Sequence, residues 1–582
     1  MQNPKFVRMI LAVCLVSIAA VACSGSSDES KTASSAAADP GLLKYVPAET
    51  PYIFAMLEPV PDDIADKFEP KLELMLAAYR DLLQTIVELG VAEGSESGES
   101  DGLPEEAAGV VNELSGLLSV EGLRSAGIDR ESTMVFYGSG LLPVLRMSVT
   151  DGDLLEATIA RIEEEAKDSM SNATIAGQPY RFVGGDEAQI VIAIIEDEFV
   201  LSIVPTDLSE DLLKAVLGLT LPARNIADSG ELQKIMADNG FVQHSVGLID
   251  VERIVATFLD DQTGVNAELL SLMEYDSSEL DEVCKAEIRT MSGIVPRIIT
   301  GYTEMSVKQF TSNTIMEVRS DIAEGLATLP APVPGLGGKQ GGLLAFGMSI
   351  NLLAARDFYA ARLDAMEAEP YECDLFADLQ AGVAQGREAL NQPIPPIVYG
   401  FKGFLAVVES IEGMDLANNQ PPTSADARFL VVADNASGLL AIGAMFSPEI
   451  AALNIEPDGE PVRFESPQLD GIVDAAYVAM TDEALAISIG QGTEARLAGM
   501  LAAPINDPHP FVSMEMNAAR YYDFIAQTMV LEEDDEDETP PELKAAIAEL
   551  MTVIGNMFSR MTFQVEFTER GIEFPSTIVL SD

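Results

Sequence analysis

Tryptophan is absent from this 582-residue chain, and histidine occurs only at His244 and His509. Each shortage removes a class of chemistry. A zinc site of the usual kind draws three or four ligands from His, Cys and carboxylates, and neither histidine has a second His or Cys at ligand spacing. The same two residues leave little room for Ser-His-Asp or Cys-His catalysis; both precede an apolar strand and read as strand-edge residues. No tryptophan and 6% aromatic content also disfavour sugar-stacking platforms. Positive charge is scarce: 34 Lys and Arg stand against 94 Asp and Glu, a net charge of −60. Phosphate binding relies on Lys and Arg replacing counterions, so nucleic acid and anionic lipid surfaces are poor partners. Such a surface suits a high-salt habitat, where self-repulsion is screened. After the first two dozen residues no apolar run approaches the ~20 residues of a membrane span.

Those first residues are a different matter. Lys5 and Arg8 precede an almost unbroken apolar stretch from Met9 to Ala22. It is too short for a stable span and sits where an export signal sits. Ala20-Val21-Ala22-Cys23 resembles the lipobox of bacterial lipoproteins, although that family usually has Leu where Ala20 stands. The resemblance implies cleavage before Cys23 and a diacylglycerol on its thiol. Ordinary secretion also fits Ala20-Val21-Ala22, and the cysteine decides between the two. Ser24 beside it is what the family shows for delivery to an outer membrane. Ser24 through Pro40 is small and polar, a tether that spaces a body from a bilayer. Of the four cysteines, Cys14 leaves with the signal and Cys23 carries lipid. The remaining pair, Cys284 and Cys373, reads as a disulfide in an oxidising envelope.

The body repeats itself. A short apolar strand, then Asp, Asn or Pro, then an amphipathic helix recurs at Tyr52–Pro59, Ser245–Asp250, Ala345–Asn351 and Val512–Asn517. Asp250, Asn351 and Asn517 suit N-caps. Two strands around an acidic turn, then a helix, occur at Ile190–Val204 and again at Ala476–Ile489. IVPRIITGYTEMSV from Ile294 resembles IPPIVYGFKGFLAV from Ile394. Residues 69–89 carry apolar side chains at helical spacing, with Gly90 to end the helix. Met561–Phe567 alternates and continues through Glu569-Arg570-Gly571 into a closing hairpin. The class is α+β: two tandem related halves, each of antiparallel strands covered by amphipathic helices. Parallel α/β is less favoured, because apolar strands follow one another directly. The division is a signal at 1–22, a tether at 23–40, halves at 41–328 and 340–582, and a Pro/Gly linker at 329–339. Acidic loops (93–106, 274–282, 367–374 and 532–542) recur within the units. A Cys284–Cys373 bridge would then clamp one half to the other.

Other motifs are weak. Gly138-Ser139-Gly140 lacks nucleophile-elbow spacing and has Pro143 close behind, so it reads as a strand-end turn. Gly337-Gly338-Lys339-Gln340-Gly341-Gly342 suggests a phosphate loop but lacks the G-x-x-x-x-G-K-[ST] order. Glu532–Glu538 is rich in oxygen ligands, yet it lacks the alternation and glycine of a calcium loop. No metal or cofactor is implied. The 24 methionines read as core filling, or as a flexible apolar groove. Tyr45-Val46-Pro47-Ala48-Glu49-Thr50, leading into Tyr52-Ile53-Phe54, resembles a loose family of uncharacterised bacterial envelope proteins whose members open with V-P-A-[DE]-[ST]. That family carries no established activity. The expectation is a non-enzymatic envelope lipoprotein, held to the bilayer through acylated Cys23, that binds or scaffolds an envelope partner. A carrier of lipid or apolar cargo and a hydrolase with a carboxylate site are the alternatives.

Overall fold

Short β-branched runs separated by turn residues fold here as hairpins, and the hairpins assemble into antiparallel sheets. The computed structural model describes residues 41–581 apart from 98–104, 167–169, 186, 261, 414–422, 466–474 and 532–538, together with the pair Ser26–Ser27. The signal segment, Cys23, most of the tether and the run Glu532–Glu538 lie outside the described residues. Two compact units divide the chain. The first comprises residues 1–280, 297–307 and 539–553, and the second 281–296, 308–538 and 554–582. The units therefore interleave in sequence, while the two-block reading cuts once, at 329–339.

In the first unit the strands are β1 (Tyr52–Met56), β2 (Met134–Ser139), β3 (Leu142–Ser148), β4 (Ser171–Ile175) and β5 (Gln178–Gly184). They continue with β6 (Ala188–Ile195), β7 (Glu198–Pro205), β8 (Ser245–Asp250) and β9 (Arg297–Met305). Their order in the sheet is β4-β5-β6-β7-β3-β2-β1-β8-β9, antiparallel throughout. The second unit holds β10 (Gln309–Glu317), β11 (Leu344–Ser349), β12 (Phe401–Glu412), β13 (Ser424–Ala433) and β14 (Val462–Phe464). It also holds β15 (Ala476–Met480), β16 (Ala484–Ile489), β17 (Val512–Met516), β18 (Phe558–Thr568) and β19 (Gly571–Leu580). Their order is β10-β19-β18-β17-β11-β12-β13-β16-β15-β14, again antiparallel.

The two paths coincide strand by strand. From β1 the chain of neighbours runs β2, β3, β7, β6 on one side and β8, β9 on the other; from β11 it runs β12, β13, β16, β15 and β17, β18. Registers agree as well. Ser148 stands opposite Glu198, as Val432 stands opposite Ala484. The next amide outward, Val149 or Ala433, bonds the carbonyl of Asp197 or Glu483. The α+β class and the repeated architecture follow from these ladders.

Local chemistry explains the elements. The side chains of Asp250, Asn351 and Asn517 accept the amides of Arg253, Ala354 and Arg520, so all three act as N-caps. The acidic turn between β6 and β7 places Glu196 at φ 56°, a left-handed position that a two-residue hairpin requires. Helix α1 (Asp62–Ser97) opens with Asp62 and Asp63 at its positive end. It does not stop at Gly90. A glycine inside a helix costs only about 1 kcal/mol against alanine, and no positive φ is imposed there. With α2 (Glu105–Leu117) and α3 (Gly152–Ala166), α1 covers one face of the first sheet. Leu72, Leu76, Leu114, Ile159 and Ile162 meet Leu145, Met147, Ile192 and Leu201 in a buried cluster. The second unit buries Leu405, Val407, Leu430, Val432, Ala486 and Leu497 together.

The Pro/Gly stretch 329–339 packs into this second core: Leu329, Ala331, Val333 and Leu336 are buried, and Val333 and Leu336 join the cluster. Prolines and glycines give it no regular structure, but the apolar residues between them supply the burial.

Candidate functional site

Among the described residues a recess lies in the first unit, where the strand ends of β1 and β2 meet a 3-10 turn (Gly41–Tyr45) and helix α4 (Glu231–Asn239). It is a half-open cavity of about 770 Å³, within the 300–1,000 Å³ range of small-molecule sites. Leu42, Leu43, Val135, Met236 and Phe241 line it and are buried, so they form its floor. Glu58, Asp228, Gln233 and Gln243 also line it and are exposed, which puts carboxylates and amides at the rim. The arrangement suits a small amphiphile, with its hydrocarbon on the floor and a donor-bearing head among the rim oxygens.

One wall of this cavity is pinned from behind. The turn that carries Leu42 and Leu43 ends in Lys44 and Tyr45. The Arg146 guanidinium, fully buried, lies 3.7 Å over the Tyr45 ring. Arg146 Nη1 donates to Glu198 Oε2 at 2.6 Å and Nη2 to the Leu217 carbonyl at 2.7 Å. Lys44 Nζ sits 3.5 Å from the same Glu198 carboxylate. A Cβ at Gly218 would come within 2.3 Å of Arg146 Nη2, so that glycine makes room for the guanidinium. Burial raises the pKa of the Tyr137 phenol beside this cluster, and Arg146 opposes the rise. Two features were visible in the sequence, an arginine inside the apolar strand LPVLRMS and a glutamate opening the next hairpin strand. Their pairing, and the cavity beside it, were not.

The two histidines stand at strand edges. His244 is buried just before β8, and its carbonyl accepts the Leu57 amide at 2.7 Å. Burial lowers its pKa, partly offset by a hydrogen bond to the Pro59 backbone. His509 Nδ1 lies 2.6 Å from the Asn506 carbonyl.

The glycine-rich stretch 337–342 does form an anion cradle, and the chain fills it. Buried Glu515, on β17, accepts the Gly341 amide at 2.8 Å and the Gln340 amide at 3.2 Å. Gly341 and Gly342 have φ of 71° and 87°, values that favour glycine. What this loop would offer a phosphate it gives to an internal carboxylate. Gly138 and Ser139 end β2, paired with Pro143 and Leu142, and Gly140 at φ 61° opens the two-residue turn into β3.

Cys284 and Cys373 have their sulfurs 2.01 Å apart and their Cα atoms 4.8 Å apart, at disulfide distance. Both belong to the second unit. The pair therefore closes within that unit and does not clamp one compact unit to the other. Helix α5 (Glu282–Ser292), which carries Cys284, is held there by further bonds. Glu287 accepts the amides of Glu372 and Cys373, and the Tyr371 hydroxyl reaches Met291 Sδ.

The closing hairpin brings two carboxylates together, Glu566 opposite Glu573. Glu573 is buried and receives Arg570, Thr568 and Asn313. Burial works against its ionised form, but these hydrogen bonds prevail and its pKa is lowered. Burial, then the neighbouring Glu573, raise that of Glu566. This is one pair that a carboxylate hydrolase could use. Glu573, however, is already saturated by structural partners.

Among the described residues no group of three or more His, Cys, Asp or Glu is arranged to hold a metal ion, and no helix is long and apolar enough to cross a membrane. Comparison with family models, with curated proteins and with solved structures finds no match to this chain.

Proposed function

We propose that this chain is an envelope lipoprotein, anchored through acylated Cys23, that binds a small amphiphile without transforming it. The observation that carries the reading is the first-unit cavity, with its buried apolar floor, its rim of carboxylates and amides, and the Arg146–Tyr45 contact that stiffens one wall. Of the three readings open to the sequence, carriage of apolar cargo gains the most specific support. Scaffolding draws on an exposed apolar helix in the second unit, taken up below. Lipidation rests on the resemblance around Cys23, and its test is the intact mass of the envelope-purified chain.

The cavity reading is tested with N-phenyl-1-naphthylamine, a neutral apolar dye that brightens on leaving water. Saturable binding near one equivalent is expected. Ala227→Trp, which fills the cavity from its half-buried margin, abolishes it while leaving the melting temperature within a few degrees of the parent. Equal dye binding by the parent and the Ala227→Trp chain refutes the site.

A further inference from the structure

The second unit exposes apolar surface where the first unit buries it. Register equates Leu145 with Phe429, since each lies three residues before the last ladder pair at its strand end. Leu145 is buried at 8% exposure beneath α1–α3, whereas Phe429 is 36% exposed. The helices that follow differ in the same way. Helix α3 carries acidic residues on its outer face and buries Leu155, Ile159 and Ile162. Its counterpart after β13 is α6 (Ala436–Phe446, ASGLLAIGAMF), which has no charged residue and buries only Ala436. A turn at Ser447 leads into the short helix Pro448–Ala452. Met445 and Phe446, at that turn, are 80% and 84% exposed. Ala441, Ile442, Pro448, Ala451 and Ala452 are exposed beside them.

We propose that this helical hairpin dips into the acyl region of a bilayer with zwitterionic headgroups. Its largest apolar side chains stand at the tip, where an inserting element needs them. With 11 residues, α6 is about 16 Å long at 1.5 Å per residue, enough to enter one leaflet and too short to span ~30 Å of hydrocarbon. Charge selects among occupants. A second copy of a −60 chain is repelled, and an anionic surface is repelled for the same reason. An uncharged apolar phase matches α6, which carries no charged residue, while Glu449 in the short helix beyond the turn, bonded to Ser447, would sit at headgroup level. The anchor on Cys23 would keep such a phase within reach. The inference is compatible with that anchor, but its test does not need it.

The absence of tryptophan makes the test clean. A chain running from residue 23, with Cys23→Ser to prevent acylation and Phe446→Trp as the sole tryptophan, is titrated with phosphatidylcholine vesicles. The expected result is a blue-shifted emission that saturates with lipid and is quenched by brominated acyl chains. In flotation, Met445→Asp with Phe446→Asp weakens vesicle binding by about tenfold or more. Its melting temperature does not change, because both side chains are exposed. Emission indifferent to vesicles overturns the proposal, as does a shift that follows protein concentration without lipid, which would assign the face to a second copy. Binding by the Cys23→Ser chain upholds the inference even if intact mass finds no acyl group on native Cys23. An acylated Cys23 with no vesicle response sinks the inference and leaves the anchor standing.

Discussion

Arg146 offers the sharpest test of how this fold is held, because the repeat supplies its own control. The residue in register with Arg146 is Leu430, and the residue in register with Glu198 is Ala484. Arg146 and Leu430 are both fully buried, so the same ladder is built once around an ion pair and once around hydrocarbon. Replacing Arg146 by Leu alone strips Glu198, 16% exposed, of a 2.6 Å charge-assisted bond. It also frees the Leu217 carbonyl and removes the cation from the Tyr45 ring. Breaking a buried pair from one side costs about 3–5 kcal/mol, since the other charge is left uncompensated. Replacing Arg146 by Leu and Glu198 by Ala together reproduces the second-unit pair and leaves no unpaired buried charge. The lost Lys44–Glu198 contact is partly exposed and contributes about 1 kcal/mol or less. The double variant is therefore expected to recover most of the single variant's loss.

With two compact units, one unfolding free energy for the chain is not well defined. The assay is hydrogen exchange resolved to β3, β7 and residues 42–45, with calorimetry following the first unit's transition. The single variant should exchange fastest in those segments while β12 and β13 keep their protection. A single variant as stable as the parent, or a double variant no better than the single, would refute the reasoning.

Four further outcomes follow from the same structure. The raised pKa of Glu566 makes its folded form favour the proton. The stability it contributes is complete below its unfolded value and lost as pH rises through the folded one. Glu566→Gln should thus raise second-unit stability at pH 7 by about 0.2–1 kcal/mol, the scale of a like-charge cross-strand pair, and flatten the melting profile between pH 4 and 8. Glu573→Gln carries the opposite sign, because the folded pKa of Glu573 is lowered: stability present above its unfolded value and lost as pH falls disappears, and the variant melts lower at pH 7. The processed chain should resist alkylation without reductant. Cys284→Ser with Cys373→Ser should lower the second unit's transition by up to about 4 kcal/mol for a loop of this length, separation 89, and leave the first unit's alone; two labelled thiols in the parent would rule the bridge out. Raising NaCl from 0.05 to 1 M should increase both melting temperatures, because the −60 charge repels itself less when screened; a flat response would mean the charges are already paired or too distant to matter.

What could be read from the residues was local. Caps at Asp250, Asn351 and Asn517 are visible because one side chain satisfies an amide three residues away. The acidic hairpin turns, and the alternation of the closing hairpin, are visible for the same reason. Position within a core is not local. The stretch 329–339 looks like a linker because Pro and Gly dominate its pattern, while the four apolar side chains that bury it are spaced irregularly. Helix Ala436–Phe446 looks like core filling because it is apolar. Only the three-dimensional structure shows that five of its eleven residues, Met445 and Phe446 foremost, are left exposed. The partners of Arg146 and Glu515 lie 52 and 174 residues away, and no periodicity encodes such a distance.

The two units also show which features the fold itself demands. Strand order, register and helix caps occur twice, so they belong to the architecture. The charged centres occur once. Arg146 corresponds in register to Leu430, and Glu515, two residues before the Asn517 cap, corresponds to Leu248, two residues before the Asp250 cap. Each position accepts leucine in one unit, so neither charge is needed to build the sheet. The reason for each must then be near it. Arg146 holds the turn Gly41–Tyr45 that walls the cavity, and Glu515 fixes the glycine stretch 337–342 against the second sheet. On this argument, trimming Arg146 and Glu198 to their second-unit counterparts should spare the fold and loosen the cavity. Dye affinity should fall in the double variant while the melting temperature recovers. A double variant that regained both would show that the ion pair serves the scaffold alone.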